Sequence, residues 1–222
     1  MAKMFPTCSA TKMPIEPHSY TVLKGTDRAT VGRWLGVIAG ILSSFAVFAI
    51  ASATTWFEAL GLPASLSPAL FALTSAAMIY RGLVYLFDRW LWKTRPIQKL
   101  MCWPSLAGRW EVQGKTAPES GGYEWEGLLT ISQTWSEISV VLQTTQSRSG
   151  SVAATIAVEP DGNLKLLYNY NNAPRPLEGQ LQAHQGFGDI QFLPDLSEGL
   201  VVYFNGRGRR TFGEMTLVRR AD

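Results

Sequence analysis

The chain divides by the spacing of its apolar residues. From Trp34 to Phe57, and again from Ala59 to Tyr80, no side chain is charged, which gives two mostly apolar runs of 24 and 22 residues. Either run, as a helix, is long enough to cross a hydrocarbon core of roughly 30 Å. Ser67 is placed to cap the second helix, and Pro68 stands at its first position, where a missing N–H is harmless. Gly61 and Pro63 then fall in the turn of a helical hairpin. From Trp103 the period changes to two. Strands are expected at 110–113, 128–133, 137–143, 149–158, 163–171, 178–192, 199–205 and 210–219. Thr134-Trp135-Ser136, Pro160-Asp161-Gly162-Asn163, Pro174-Arg175-Pro176 and Asn205-Gly206-Arg207-Gly208 punctuate them as turns or breaks. No helical period lies between these strands. The expected fold is therefore a membrane helical hairpin followed by a small eight-stranded antiparallel β-barrel. An interior of that size is filled by side chains or holds one small ligand near its mouth.

Charge sharpens this division. Residues 1–33 carry five Lys or Arg against two acids and residues 81–100 carry five against one, whereas 104–222 hold ten basic and thirteen acidic side chains. Basic residues crowd the outer ends of the hairpin and its turn has only Glu58, so both termini and the β-rich part are expected in the cytoplasm. Trp34, Trp56, Trp90 and Trp92 sit at the span ends, as interface anchors do. The β-rich part is slightly acidic, which excludes a surface for polymeric DNA or RNA. The small residues Ala51, Ser52 and Ala53 imitate a signal-peptide cleavage site, but the run begins late and a second span follows it. Gly36, Gly40 and Ser44 share one helical face and suit close helix packing, or they are the ordinary small residues of a membrane helix. Past Arg81 the chain stays apolar, so the second helix either leaves the bilayer there or runs deeper with Arg81 facing a polar path.

Candidate chemistry is sparse. Two cysteines, Cys8 and Cys102, and two isolated histidines, His18 and His184, assemble neither a zinc site nor a nucleophile–base pair, and no phosphate-binding glycine loop occurs. No enzyme and no cofactor are expected. Leu164, Leu166, Tyr168 and Tyr170 share the face expected to point inward, which puts two phenols near one mouth. They are either stacking surfaces or core fillers.

The topology and the order of several short motifs carry a resemblance. Leu106-x-Gly108-x-Trp110, Ile131-x-Gln133-x-Trp135, Ser147-x-Ser149, Tyr168-x-Tyr170-x-Asn172-x-Pro174, His184-x-Gly186 and the late Arg210 and Gly213 follow a two-helix hairpin in this sequence. The chain resembles the two-transmembrane, β-strand-rich effectors of bacterial anti-phage (CBASS) systems, which are associated with cGAS-like nucleotidyltransferases. The resemblance spans about residues 30–220. It implies a barrel that senses a cyclic dinucleotide second messenger, self-association into a homo-oligomer on activation, and disruption of inner-membrane lipid that kills or arrests the cell. Such a ligand offers two bases and two phosphodiester charges. Tyr168, Tyr170 and Trp135 would then stack, Asn172 would read a base edge, and Arg148 or Arg210 with Ser147, Ser149 or Thr211 would hold phosphate. For Arg148 the alternative is a solvated turn residue, for Arg210 a solubilising strand end, and for Trp135 the barrel floor. Gly108 and Trp110 are expected to start and plug the barrel.

The expected organisation is a cytoplasmic tail over 1–30, a hairpin over 31–92, a linker over 93–103 and the sensing barrel over 104–222. Three other readings stay open: a tethered barrel for a lipid or apolar ligand, a structural membrane adaptor, and an enzyme at the barrel mouth, which would need a convergent acid–base pair that the sequence does not offer.

Overall fold

The apolar run and the alternating run fold as separate units in the computed structural model, which describes residues 15–59, 68–160, 162–175, 182–207 and 210–220. In chain order the elements are β1 (His18–Leu23), α1 (Arg28–Ala59), α2 (Pro68–Arg89), a 3-10 turn at Leu91–Lys93 and α3 (Arg95–Met101). Next come β2 (Gly108–Thr116), β3 (Glu124–Gln133), β4 (Glu137–Thr144), β5 (Ser147–Val158), β6 (Leu164–Pro174), β7 (His184–Phe192), β8 (Glu198–Arg207) and β9 (Phe212–Arg219). One unit holds all nine strands. The other holds the helices together with the Thr134–Ser136 turn.

Helix α1 starts after Asp27, whose carbonyl accepts the N–H of Val31. Its buried positions Val31, Leu35, Ala39 and Ser43 recur every four residues, while Trp34, Ile41, Phe45, Phe48 and Trp56 are exposed. A helix that is apolar on its exposed face calls for an apolar environment, lipid or protein, rather than water. Among the described residues, the stretch Arg28–Ser52 is long and apolar enough to cross a membrane. Gly36 and Gly40 have nothing within contact range and Ser44 folds back on the Gly40 carbonyl, so this small-residue stripe is not the seam against α2. Helix α2 is described from Pro68, the expected cap Ser67 lies outside the described residues, and the helix continues past Arg81 to Arg89. The Trp92 indole, almost fully buried, donates to the Asp88 carbonyl where α2 ends.

In the same unit Trp135 packs on Trp103, with ring centroids 4.0 Å apart, and edge-on against Phe87 at 5.1 Å. Its N–H donates to the Asp88 carbonyl, its carbonyl accepts from Arg28, and the Ser136 N–H donates to Asp88 Oδ1. The Arg28 guanidinium also lies over the Trp103 ring at 5.4 Å, a cation–π contact.

The strands pair in the order β1-β4-β3-β2-β9-β8-β7-β6-β5 and the ladder closes on itself, because β5 returns to both β1 and β4. Every pairing is antiparallel except β1 with β5. The expected eight strands are all present; the ninth, β1, corrects the count. It comes from the segment expected to be a tail, where Tyr20 and Val22 are buried and alternate with exposed Ser19, Thr21 and Leu23. Six residues of weak alternation before a long apolar run carry little signal alone, and the strand exists because β4 and β5 supply its partners.

Trp110 starts the core just after Gly108 and is fully buried against Phe192, with the Arg219 guanidinium over its ring. Leu106, Leu129, Ile131, Ile138, Ile156, Leu166, Ile190 and Leu217 complete this packed end. Fully burying side chains of this kind stabilises a fold by roughly 1.5–3 kcal/mol each. Two expected boundaries move. The strand expected at 178–192 begins at His184, with 178–181 outside the described residues. The turn expected at Asn205–Gly208 is still strand through Arg207, because the Asn205 N–H donates to the Thr211 carbonyl and extends the ladder.

Candidate ligand site

The Leu164-Leu166-Tyr168-Tyr170 face of β6 points into the closed sheet, and along it the interior changes from apolar to polar. Tyr168 is 3% exposed and Tyr170 8%, with ring centroids 5.7 Å apart. Glycines on β7 make room for the rings. Tyr168 pairs with Gly188 and Tyr170 with Gly186, and a Cβ at either glycine would come within 2.5 Å of the facing ring. The Tyr170 hydroxyl donates to Asn205 Oδ1 at 2.7 Å, and Asn205 Nδ2 donates to Thr211 Oγ1 at 2.6 Å. Across the interior, the buried Tyr203 hydroxyl lies 3.2 Å from Thr116 Oγ1. Ser149 and Ser151 are buried on the same inner face of β5, opposite Asn172 and Tyr170.

Burial pushes the Tyr168 phenol up from the ordinary value. Burial does the same to Tyr170, reinforced by the charge that Tyr168 and Tyr203 would carry if ionised. At neutral pH Tyr168 and Tyr170 are therefore uncharged donors and acceptors. They suit the edges of bases and the oxygens of a diester, without an ion of their own.

The structure brings together Tyr168, Tyr170, Ser149 and Thr211, and sets half-buried Asn172 and Ser147 at the same rim. The Asn172 amide lies 3.5 Å from His184 Nδ1, and the Ser147 N–H donates to Thr144 Oγ1. Arg148 is not with them. It is exposed on the opposite face of β5, paired with Gln143, because alternation sends neighbouring side chains to opposite sides. Arg210 is exposed next to Thr211 in the β8–β9 connection. The Trp135 ring packs on Trp103 and Phe87 within the helical unit. Sequence reasoning missed Tyr203, Asn205, Thr116 and Ser151. A signal for the first existed in the cross-strand rule that pairs an aromatic ring with a glycine, as Tyr203 pairs with both Gly188 and Gly213.

An outer groove of about 670 Å³ runs across β2, β3 and β4, but Glu111 and Glu126 stand beside Arg175 and Arg220 in its lining. Its mixed charge suits a dianion poorly. Among the described residues no cluster of His, Cys, Asp or Glu could hold a metal ion.

An apolar helix on the same chain as a closed sheet, with hydroxyl and amide groups lining one end of its interior, is the architecture of a membrane-tethered receptor. The comparisons with known proteins agree with that class. The family model described as "Cap15, cyclic dinucleotide receptor domain" matches residues 101–219, and "Cap15, TM helices" matches residues 29–93. CD-NTase-associated protein 15 of Yersinia aleksiciae is 40% identical over 205 residues, covering 92% of this chain and 98% of that protein. The chain belongs to the Cap15 family, the CBASS effectors that its motif order resembled.

Proposed function

We propose that this chain is a membrane effector of anti-phage defence whose β-barrel binds a cyclic dinucleotide at the tyrosine rim. The carrying observation is the hydrogen-bonded run from Tyr170 through Asn205 to Thr211, placed above Tyr168 inside the segment that matches the receptor-domain family. Tyr168 and Tyr170 supply faces for the bases. Asn172 and Asn205 supply edge contacts, and Ser147, Ser149 and Thr211 hold a diester, with Arg210 as the nearby cation. A lipid-binding barrel would instead line its ligand end with apolar side chains, and here that end is the hydroxyl-rich one. In this reading α1 and α2 both cross the inner membrane, the basic flanks keep both termini and the barrel in the cytoplasm, and nucleotide binding drives homo-oligomerisation that breaches the bilayer. The chain acts by binding and assembly rather than by catalysis.

The test is calorimetric titration of the full chain in detergent with cyclic diguanylate, cyclic diadenylate and cyclic diuridylate, with linear dinucleotides as controls. The full chain is required because β1 lies before the helices in sequence, and residues 104–222 alone would lack it. Micromolar or tighter binding of one cyclic species, weakened by Tyr168→Ala, is the expected result. Failure of the folded protein to bind any of a broad panel would sink this function.

A further inference from the structure

Strand β1 sits in a fork. Strands β4 and β5 pair directly at Val141–Gly150, Leu142–Ser149 and Gln143–Arg148, and beyond those three positions they part. A bulge between Ser151 and Ala153 marks the split on β5. There the Val140 N–H donates to Ser151 Oγ instead of to a strand carbonyl, and the same hydroxyl lies 2.7 Å from His18 Nε2. Below the split β1 fills the gap, with two register pairs to β4 and four parallel pairs to β5. Tyr20 is the inner anchor, its hydroxyl accepting from buried Gln133, while Ile15 covers Gly150.

Three features suit this seam to switching between two pairings. First, β1 holds β4 by only two pairs, against seven between β3 and β4 and eleven between β5 and β6. Second, the gap can close without β1, because β4 and β5 already pair above it and Val140 stands ready to continue against Ser151. Third, Ser151 at the fork pairs with Tyr170 of the candidate site, so a ligand that moves the β5–β6 wall moves the fork. The tyrosine rings fill the interior, and a nucleotide cannot reach them without moving that wall. At its other end β1 leads through four residues, Lys24–Asp27, into α1.

We propose that β1 is an autoinhibitory wedge: seated between β4 and β5 it restrains α1, and a cyclic dinucleotide bound on the β5–β6 wall unseats it as β4 and β5 zip together. The inference rests on the nucleotide-binding reading above and adds to it the element that carries the signal.

A disulfide staple tests it. Thr21 Oγ1 and Thr155 Oγ1 lie 3.1 Å apart across the β1–β5 pair, so a Thr21→Cys, Thr155→Cys chain, with Cys8 and Cys102 replaced by Ser, can lock the wedge in place. Reconstituted in dye-loaded phospholipid vesicles, the oxidised chain should bind the cyclic dinucleotide found by titration more weakly than the reduced chain, because binding and unseating are coupled, and should release no dye; reduction should restore both affinity and release. Dye release from the oxidised chain equal to that from the reduced chain would overturn the proposal.

A second arm needs no nucleotide. Gly150→Val places methyl groups where Ile15 lies and should unseat β1, raising ligand-free leakage by about tenfold or more, a modest shift in a two-state population. The staple added to Gly150→Val should suppress that leak when oxidised and release it when reduced, a response that a merely misfolded protein would not give. Leakage at the wild-type level in Gly150→Val would count against the wedge. If no cyclic dinucleotide binds the reduced chain, the receptor reading fails, and the Gly150→Val arm still decides whether β1 restrains the helices.

Discussion

The two ends of the closed sheet's interior are built from the same strands, by the same alternation, and are nearly equally buried, yet they differ in kind. At one end Leu166, Ile156, Ile190 and Leu217 surround Trp110 with apolar atoms. At the other, Tyr170 donates to Asn205, Tyr203 meets Thr116 and Ser151 accepts from the Val140 N–H, with Tyr168 and Ser149 buried beside them. The packed end is mostly apolar, but it buries the Trp110 indole N–H without a hydrogen-bond partner among the described residues. At the polar end the Tyr170–Asn205–Thr211 run is satisfied internally, and in the proposed reading those bonds are exchanged for bonds to the ligand that enters.

The sharpest way to separate the two ends is to truncate one residue in each. Leu166→Ala removes a fully buried side chain at the packed end and should cost about 2–5 kcal/mol of stability, read from denaturant midpoints, while affinity for the cyclic dinucleotide stays within about threefold. Tyr168→Ala should weaken binding on the order of 10- to 100-fold, the worth of one base stacked on an aromatic ring, as measured by calorimetry. If both variants lost affinity equally, the division of the interior would be wrong.

Smaller effects refine it. Tyr170→Phe keeps the ring and deletes the hydroxyl that donates to Asn205, and should reduce stability by about 1 kcal/mol. A pH series reads the same pair of phenols. Burial raises them, so the folded chain keeps protons that the unfolded chain releases above about pH 10. Stability should therefore be flat through neutrality and fall as the pH climbs past that value, and Tyr168→Phe with Tyr170→Phe should flatten the decline. Arg148→Ala should do least, within about 0.5 kcal/mol and with no loss of affinity, because the side chain is exposed on the outer face of β5. A large loss of binding there would return Arg148 to the site.

The packed end was readable in the sequence because it obeys simple rules. Period-two alternation placed Leu166 and Leu164 inward together with the two tyrosines, and Gly108 with Trp110 marked the start of the core. The polar end was readable in part. Tyr168, Tyr170, Ser149 and Thr211 share a strand face or a strand end, whereas Asn205 joins them only through pairings between β6, β7 and β8 that no local pattern announces. Arg148 was misplaced by one residue of parity, which in a strand is the whole difference between inside and outside. Trp135 looked like a stacking residue because it is aromatic and sits at a turn. Its partners, Phe87 and Trp103, are distant in sequence and so invisible to local reading. Strand β1 was missed for a related reason, since its partners arrive more than a hundred residues later.

That separation bears on how the protein is made. Thr21 and Thr155 meet across 134 residues of chain, with both helices synthesised in between. During translation β1 leaves the ribosome first and has no edge to join until β4 and β5 exist, while the apolar run behind it is already available for membrane insertion. Long-range pairings of this kind form late and slowly. Seating β1 would then be a late step of folding, and under the proposal above a chain made in this order would lack its restraint until that step is complete.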